Sequence, residues 1–427
     1  MQKKKHRRPW GVFAAIVLAI AFGSWVGNQA GVFGITFYAI VDVLGTIFLN
    51  ALTLVIVPLV SSSIITGISR IGNEGGFGRL GGKMFFFYIG TSLMATLIGL
   101  VFVNLINPGG SHITPPITGT EAAAFGALQD KLSNQGGQAF VQLLISIIPS
   151  NILAAFTRGE MLGLIFFSLL FGYAISKIES HPAAILQGFF QGIFQTMIQV
   201  THIIMKFLPY GVFCLVAKVF MTTGVSSLQA VALFFVTVLI GLCVFMFIAL
   251  PLLLKFVARV KPMRHFRAMT PALVTAFSTS SSSATLPITI DCVEKRAGVS
   301  NRICSLVVPL GTSINMSGSA LYECVAAMFV AQAYGIELSF WTQFLVVMMA
   351  LITSIGVAGI PSASLVAIIV VLRVVGLPAE GIGLFIAVDR LLDMCRTTVN
   401  VFSDSCCAIL VARSEGEEQV LSKEIFD

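Results

Sequence analysis

The chain has 427 residues, of which 56% are hydrophobic and only 11% charged, and its mean hydropathy is +0.94. Soluble domains carry about 25% charged residues, so a water-soluble protein is excluded and a polytopic membrane protein is expected. The net charge of +7 sits in short hydrophilic gaps, as cytoplasmic loops require, and does not signal a nucleic-acid partner.

Lys3, Lys4, Lys5, His6, Arg7 and Arg8 precede the first apolar run. The many later spans and the lack of an Ala-x-Ala site make that run a first transmembrane helix rather than a cleaved secretory signal. A span takes about 20 residues. Full spans are predicted near 10–27, 42–68, 82–107, 140–176, 183–221, 229–256, 299–333 and 378–412. The fourth holds Pro149, Ser150, Asn151, Gly159 and Glu160 and is expected to be broken. Eight cysteines, Cys214, Cys243, Cys304, Cys324, Cys406 and Cys407 among them, lie mostly in apolar stretches and read as packing residues.

Two further apolar segments, 268–294 and 340–375, are interrupted. The first carries four successive serines, Ser280 to Ser283, followed by Ala284, Thr285, Leu286 and Pro287. The second carries Ser354, Ile355, Gly356, Val357, Ala358, Gly359, Ile360, Pro361 and Ser362. Free backbone groups at membrane depth are tolerated only where they line a cavity or are buried in protein, so both breaks point to a midplane site.

Charge decides whether these segments cross. Lys255, Arg259, Lys261, Arg264 and Arg267 precede the serine segment, and Lys295, Arg296 and Arg302 follow it. Two basic flanks place both ends in the cytoplasm, so the segment enters and returns. Parity then puts the loop with Arg70, Arg79 and Lys83 inside, the loop near 108–138 outside, Lys177 inside and Thr222 to Ser227 outside. The flanks of 340–375 hold only Glu337 and Glu380, and a hairpin opening from the outside returns the C-terminus to the cytoplasm. The expected fold is all-α: eight transmembrane helices plus two re-entrant helical hairpins of opposite orientation, an inverted repeat. The acidic tail from Ser414 to Glu418 reads as a solvated end without a function.

The last span carries Asp389, Asp393, Arg396, Thr397, Asn400 and Asp404 at offsets that make one polar stripe at 3.6 residues per turn. Charges in a membrane helix cost about 2.5–3.5 kcal/mol each on insertion scales, so the stripe must face a polar cavity. Arg396 presents a planar fork for a carboxylate. Asp393 can accept from an ammonium group, and Asn400 and Asp404 supply oxygens for a small cation. The seventh span opens with Gly311, Thr312, Ser313, Ile314, Asn315, Met316, Ser317, Gly318 and Ser319, which favour an unwound turn with carbonyls able to coordinate Na⁺. Glu323, two turns on, lacks a cation on its own helix and can carry a proton.

Four motifs in order resemble one family. They are Ser281-Ser-Ser-Ala-Thr-Leu-Pro287, Asn315-Met-Ser-Gly-Ser-Ala-Leu-Tyr-Glu323, Ser354-Ile-Gly-Val-Ala-Gly-Ile-Pro361 and Asp393-Met-Cys-Arg-Thr-Thr-Val-Asn-Val-Phe-Ser-Asp404. The chain resembles the dicarboxylate/amino acid:cation symporters, the glutamate transporter family, over essentially its whole length. The resemblance implies a substrate enclosed by Ser280 and Ser282 of the first hairpin and Ile360 and Ser364 of the second, and bound by Ser319, Asp393, Arg396, Thr397 and Asn400. Arg396 would hold the side-chain carboxylate and Asp393 the amino group. One Na⁺ site would use Gly311, Asn315, Asn400 and Asp404, and a second Ser313, Met316, Ser354 and Gly356. A third would use Tyr88, Thr91 and Ser92 with Asn315, and Glu323 matches the proton-carrying glutamate of animal members.

Two departures stand out. The family usually has Asp where Ser317 stands, and a carboxylate at about 4 Å is worth on the order of 4 kcal/mol to a cation at an effective dielectric of 20. The third site therefore weakens, and proton coupling or fewer sodium ions is expected. Archaeal members have Arg where Ser280 stands and animal members have Arg where Met394 stands. This chain has neither, which leaves an unusual charge balance around Arg396.

The expected function is uptake of glutamate or aspartate by symport with Na⁺, H⁺ or both, with no tightly bound cofactor and an elevator-type motion. The alternative is a C4-dicarboxylate:cation symporter of the same fold, which Asp393 disfavours because it repels a second carboxylate. A passive ion channel would show unitary currents without substrate. An intramembrane serine hydrolase needs a base, and none of His6, His112, His181, His202 and His265 sits beside a nucleophile turn, so no enzyme is expected. By resemblance, residues 1–70 and 140–221 form a scaffold with the contacts of a homotrimer, and 80–107 and 229–413 a transport part. The lipid bilayer is the surrounding partner. The expected location is the plasma membrane, the inner membrane if bacterial, with both termini cytoplasmic and 414–427 as a tail.

Overall fold

The computed structural model describes residues 10–27, 30–32, 35–71, 77–110, 145, 148–158, 161–223, 227–356 and 364–422. Expectations that rest on Lys3 to Arg8, on residues 111–138 of the long loop, on Gly159 and Glu160 and on Val357 to Ala363 lie outside the described residues. Among the described residues the regular structure is helical apart from one antiparallel ladder of two-residue strands, in which Gly31 pairs with Thr36 and Val32 with Ile35.

The first predicted span is α1 (Trp10–Val26). The second is two helices, α2 (Phe37–Leu54) and α3 (Ile56–Ile71). The interruption at Val55 precedes Pro58, whose missing N–H cannot bond back to Leu54. The third span is α4 (Phe77–Ile106). Within the fourth are α5 (Ile152–Arg158) and α6 (Met161–Ile175). The stretch 183–221, expected as one span, divides into α7 (Ser180–Ile204) and α8 (Leu208–Thr223), joined by a 3-10 turn over Met205–Phe207. Pro209 stands in the first turn of α8, where a missing donor costs nothing. The next span is α9 (Ser227–Val244) and α10 (Leu250–Phe256), joined by a π turn over Phe245–Ala249.

The first hairpin is α11 (Pro262–Thr279) and α12 (Ser282–Asp291). The seventh span is α13 (Asn301–Ile314) and α14 (Ser317–Ala333). The second hairpin has legs α15 (Phe340–Gly356) and α16 (Ser364–Val375), and α17 (Ile382–Ser414) ends the bundle. Among the described residues, four helical stretches are long and apolar enough to cross a membrane: Phe37–Ser69, Leu80–Ile106, Leu228–Phe256 and Asn301–Ala333. The apolar window of Asn301–Ala333 is wholly buried in protein, which is why this span tolerates polar residues and the lowest hydropathy of the four.

Packing separates two groups of helices. In one, α1 and α2 lie on α8, and α3 lies on α6 and α7. In the other, α4 lies on α9 and α14, and α17 lies on α9, α11, α13 and α14. The groups meet where α8 touches α17 and α15 touches α3. Phe234 anchors the second group, with ring centroids 4.7 Å from Phe329 and 5.0 Å from Phe385. This aromatic cluster joins α9, α14 and α17 beside the polar stripe.

The acidic stretch 414–418 keeps Ser414, Gly416 and Glu418 exposed, but the tail beyond it folds back onto the bundle. Val420 and Leu421 are buried. The Leu421 N–H donates to the Ala297 carbonyl at 2.9 Å, and Arg264 donates to the Leu421 carbonyl at 2.9 Å. Glu417 accepts from the Ser300 N–H at 3.1 Å, and Lys83 donates to the Ser414 carbonyl at 2.7 Å. The tail thus ties the base of the first hairpin to the starts of α4 and α13. Among its acids, Glu417 meets the N-terminus of α13 and Glu415 pairs with Lys83.

Candidate functional site

The first hairpin turns at Ser280 and Ser281, not at Pro287, which lies inside α12. Ser280 adopts the left-handed conformation (φ 50°, ψ 37°). Ser281 is extended, and its Oγ accepts from the Ala284 N–H at 3.2 Å. The serine run therefore works locally as helix-capping chemistry. Two of its hydroxyls are left over for the interior: Ser280 and Ser282 are buried, and Ser280 Oγ has no partner among the described residues. In the second hairpin Ser364 is buried at the first position of α16, whereas Ile360 lies outside the described residues.

The seventh span unwinds at Asn315 and Met316 (φ −97° and −91°), between α13 and α14. The neighbouring glycines do a different job from the one their spacing suggests. Gly311 and Gly318 remain helical and permit close approach of α17. A Cβ on Gly311 would lie 2.7 Å from the Asp404 carboxyl, and one on Gly318 would lie 3.0 Å from the Arg396 carbonyl oxygen. The Gly318 N–H donates to Asn400 Oδ1 at 2.7 Å, and Asn400 Nδ2 donates to Ser319 Oγ at 3.2 Å.

Around the unwound turn, Asn315 is the hub. Its Nδ2 donates to Asp404 Oδ1 at 2.9 Å and to Ser403 Oγ at 3.2 Å. Its Oδ1 accepts from Thr91 at 3.1 Å and from Ser317 at 2.9 Å, and lies 3.4 Å from Ser92 Oγ. The groups predicted for the third cation site, Thr91 and Ser92, do converge there. Tyr88 does not bond to Asn315: its hydroxyl donates to the Val307 carbonyl. Ser317 fills the place of the expected carboxylate with a hydroxyl that also contacts Ser92 and Ser403. Asp404 Oδ2 is buried without a partner among the described residues, a donor-poor setting of the kind a cation completes. Of the second predicted cation set, Met316 and Ser354 are buried, Ser313 is half-buried near the end of α13, and Gly356 ends α15.

The other half of the stripe is an ionic cluster. Arg396 Nη2 donates to Asp393 Oδ1 at 3.0 Å and lies 3.1 Å from Asp389 Oδ1. Its guanidinium lies 3.8 Å over the Tyr322 ring, and the Tyr322 hydroxyl donates to Asp389 at 3.0 Å. Arg396 is 1% exposed, yet Nε and Nη1 have no hydrogen-bond partner among the described residues. Unsatisfied buried guanidinium donors are costly, and each is free to donate to an acceptor oxygen of a ligand. Thr397 is buried one residue on.

Glu323, which has no cation on its own helix, accepts from Thr353 Oγ1 at 2.6 Å through Oε2, and Oε1 has no partner among the described residues. Three participants were not assigned from the sequence. Tyr322 gives no signal of its own beyond the motif around it, Thr353 lies in an unremarkable apolar leg, and Arg390 falls off the stripe's periodicity although it contacts Asp393 at 3.5 Å.

The family model described as the sodium:dicarboxylate symporter family matches residues 10–414. The chain is 33% identical over 409 residues to a proton/sodium-glutamate symport protein of Bacillus caldotenax, covering 96% of this chain and 94% of the relative. It is 31% identical over 415 residues to the proton/glutamate-aspartate symporter of Escherichia coli, covering 97% and 94%. It is 34% identical over 458 residues to human excitatory amino acid transporter 3, covering 96% and 87%. An integral membrane chain with this bundle, this stripe and these relatives belongs to the sodium:dicarboxylate symporter family.

Proposed function

We propose that the protein is a secondary active symporter that takes up glutamate or aspartate together with Na⁺, H⁺ or both. The observation that carries this reading is the pair of buried, unpartnered Arg396 donors, Nε and Nη1, free to take carboxylate oxygens beside the acid Asp393. A substrate with a side-chain carboxylate and an ammonium group satisfies both. Ser280, Ser282, Ser319, Ile360, Ser364, Thr397 and Asn400 enclose and bind the remainder. Sodium ions are cargo at Gly311, Asn315, Asn400 and Asp404 and at Ser313, Met316, Ser354 and Gly356, and Glu323 carries a proton.

The cluster of Tyr88, Thr91, Ser92 and Asn315 is the weakest cation site, because Ser317 brings no charge to it. The names of the relatives support acidic amino acids over C4-dicarboxylates. The two packing groups support an elevator in which 80–107 and 229–413 move against a scaffold of 1–70 and 140–221. The resemblance to the family adds that the scaffold makes the contacts of a homotrimer. The protein works in the plasma membrane, the inner membrane if bacterial, with both termini in the cytoplasm.

Uptake of labelled aspartate and glutamate into proteoliposomes, with sodium and proton gradients imposed separately, tests the proposal. Accumulation above the equilibrium level under at least one gradient is expected. Equilibration that ignores both gradients overturns it.

A further inference from the structure

Asp393 is the proposed rest for the substrate's ammonium group, yet both of its oxygens already face guanidinium groups. Oδ1 accepts from Arg396 Nη2 at 3.0 Å, and Oδ2 accepts from Arg390 Nη1 at 3.5 Å. The two arginines are held very differently. The Arg396 side chain is 1% exposed, stacks on Tyr322 and pairs with a second acid. The Arg390 side chain is 23% exposed, and its long contact to Asp393 is the one polar contact it makes among the described residues. A contact at the limit of hydrogen-bond length, made by a long and partly exposed side chain, is easily exchanged. Arg396 is fixed and Arg390 is displaceable.

A guanidinium and an ammonium are alternative cations for the same carboxylate oxygen. Resting on the reading above, we infer that Arg390 is a specificity-determining residue that occupies the ammonium position of Asp393 until an amino acid displaces it. An acidic amino acid brings its own cation, so Arg390 swings outward and Asp393 stays neutralised. The i,i+3 spacing on α17 keeps the guanidinium tethered for return when the substrate leaves. A dicarboxylic acid without an amino group brings no cation, and Arg390 stays in place. It then shields that ligand from Asp393, whose bare charge would repel it. Arg390 therefore weakens binding of amino acids, by competing with them, and blunts rejection of plain dicarboxylates. It also supplies the second cation whose absence at positions 280 and 394 left the charge balance unexplained.

Labelled aspartate uptake in proteoliposomes, with succinate as competitor, tests this in wild type, Arg390→Gln, Arg390→Met and Arg390→Lys. Both uncharged variants are expected to lower the KM for aspartate about threefold and to raise the ratio of succinate Ki to aspartate KM about tenfold, the scale of one exposed ion pair in each arm. Arg390→Lys keeps a cation in reach and is expected to stay near the wild-type ratio. An unchanged or lower ratio in Arg390→Gln and Arg390→Met overturns the inference, as does loss of aspartate binding in a variant whose thermal unfolding matches wild type. Wild-type protein that takes up no acidic amino acid overturns the underlying reading instead, a result visible before any variant is made.

Discussion

Asn315 Nδ2 donates to Asp404 Oδ1 at 2.9 Å, so the unwound turn of the seventh span is latched directly onto the stripe of the last helix. The second oxygen of Asp404 is buried and unpartnered among the described residues. Asp404→Asn removes the only formal charge touching Asn315 among those residues. The sodium concentration for half-maximal uptake is expected to rise at least tenfold, about 1.4 kcal/mol. A sodium titration of uptake in the variant decides it, and an unchanged midpoint removes Asp404 from cation binding.

Ser317→Asp places a carboxylate among Ser92, Asn315 and Ser403. An uncompensated buried charge costs about 3–5 kcal/mol, and a cation that binds there returns much of it. Thermal unfolding of the variant in detergent is expected to occur below wild type without sodium and to recover with it. The sodium dependence of uptake is expected to steepen. A melting temperature indifferent to sodium contradicts a cation site at this cluster.

Gly311→Ala drives a Cβ to within 2.7 Å of the Asp404 carboxyl. Overpacking of this kind costs about 1–3 kcal/mol and pushes α17 away from α13. Reduced thermal stability together with weakened sodium dependence is expected. Normal values for both mean that the two helices are not in contact at Gly311.

Glu417→Ala removes the carboxylate that receives the Ser300 N–H at the start of α13. A lost helix cap costs about 1 kcal/mol. The tail is expected to become cleavable by limited proteolysis near Glu415 while aspartate affinity holds. A tail equally resistant in the variant would show that Leu421 and Arg264 secure it without Glu417.

Much of this architecture was legible because lipid imposes strict rules on length and charge. The basic flanks of 255–267 and 295–302 identified a helical hairpin, and the polar knot at Asn315 identified an unwound turn. Hydropathy alone ran α7 into α8, because averaging over a span hides a single Pro209. The glycines of the 311–318 motif were read as loosening the backbone, whereas they bring two helices together, a property of the partner helix that no local pattern holds. The tail's attachment was hidden for a similar reason: Glu417 has no visible partner until Ser300, far away in sequence, is brought beside it. Arg390 escaped notice because it lies off the stripe, and its reach back to Asp393 depends on a side-chain conformation.

The most direct test of the central claim is substrate competition in Arg396→Cys. The unpartnered donors Nε and Nη1 are the proposed contacts for the substrate's side-chain carboxylate. Uptake of labelled glutamate and aspartate is expected to fall by at least a hundredfold, about 2.7 kcal/mol for a lost charge-assisted pair. Small neutral amino acids are then expected to bind in their place, because Asp393 still holds the amino group. Glutamate uptake in Arg396→Cys equal to wild type, in protein that is folded and inserted, would contradict the account.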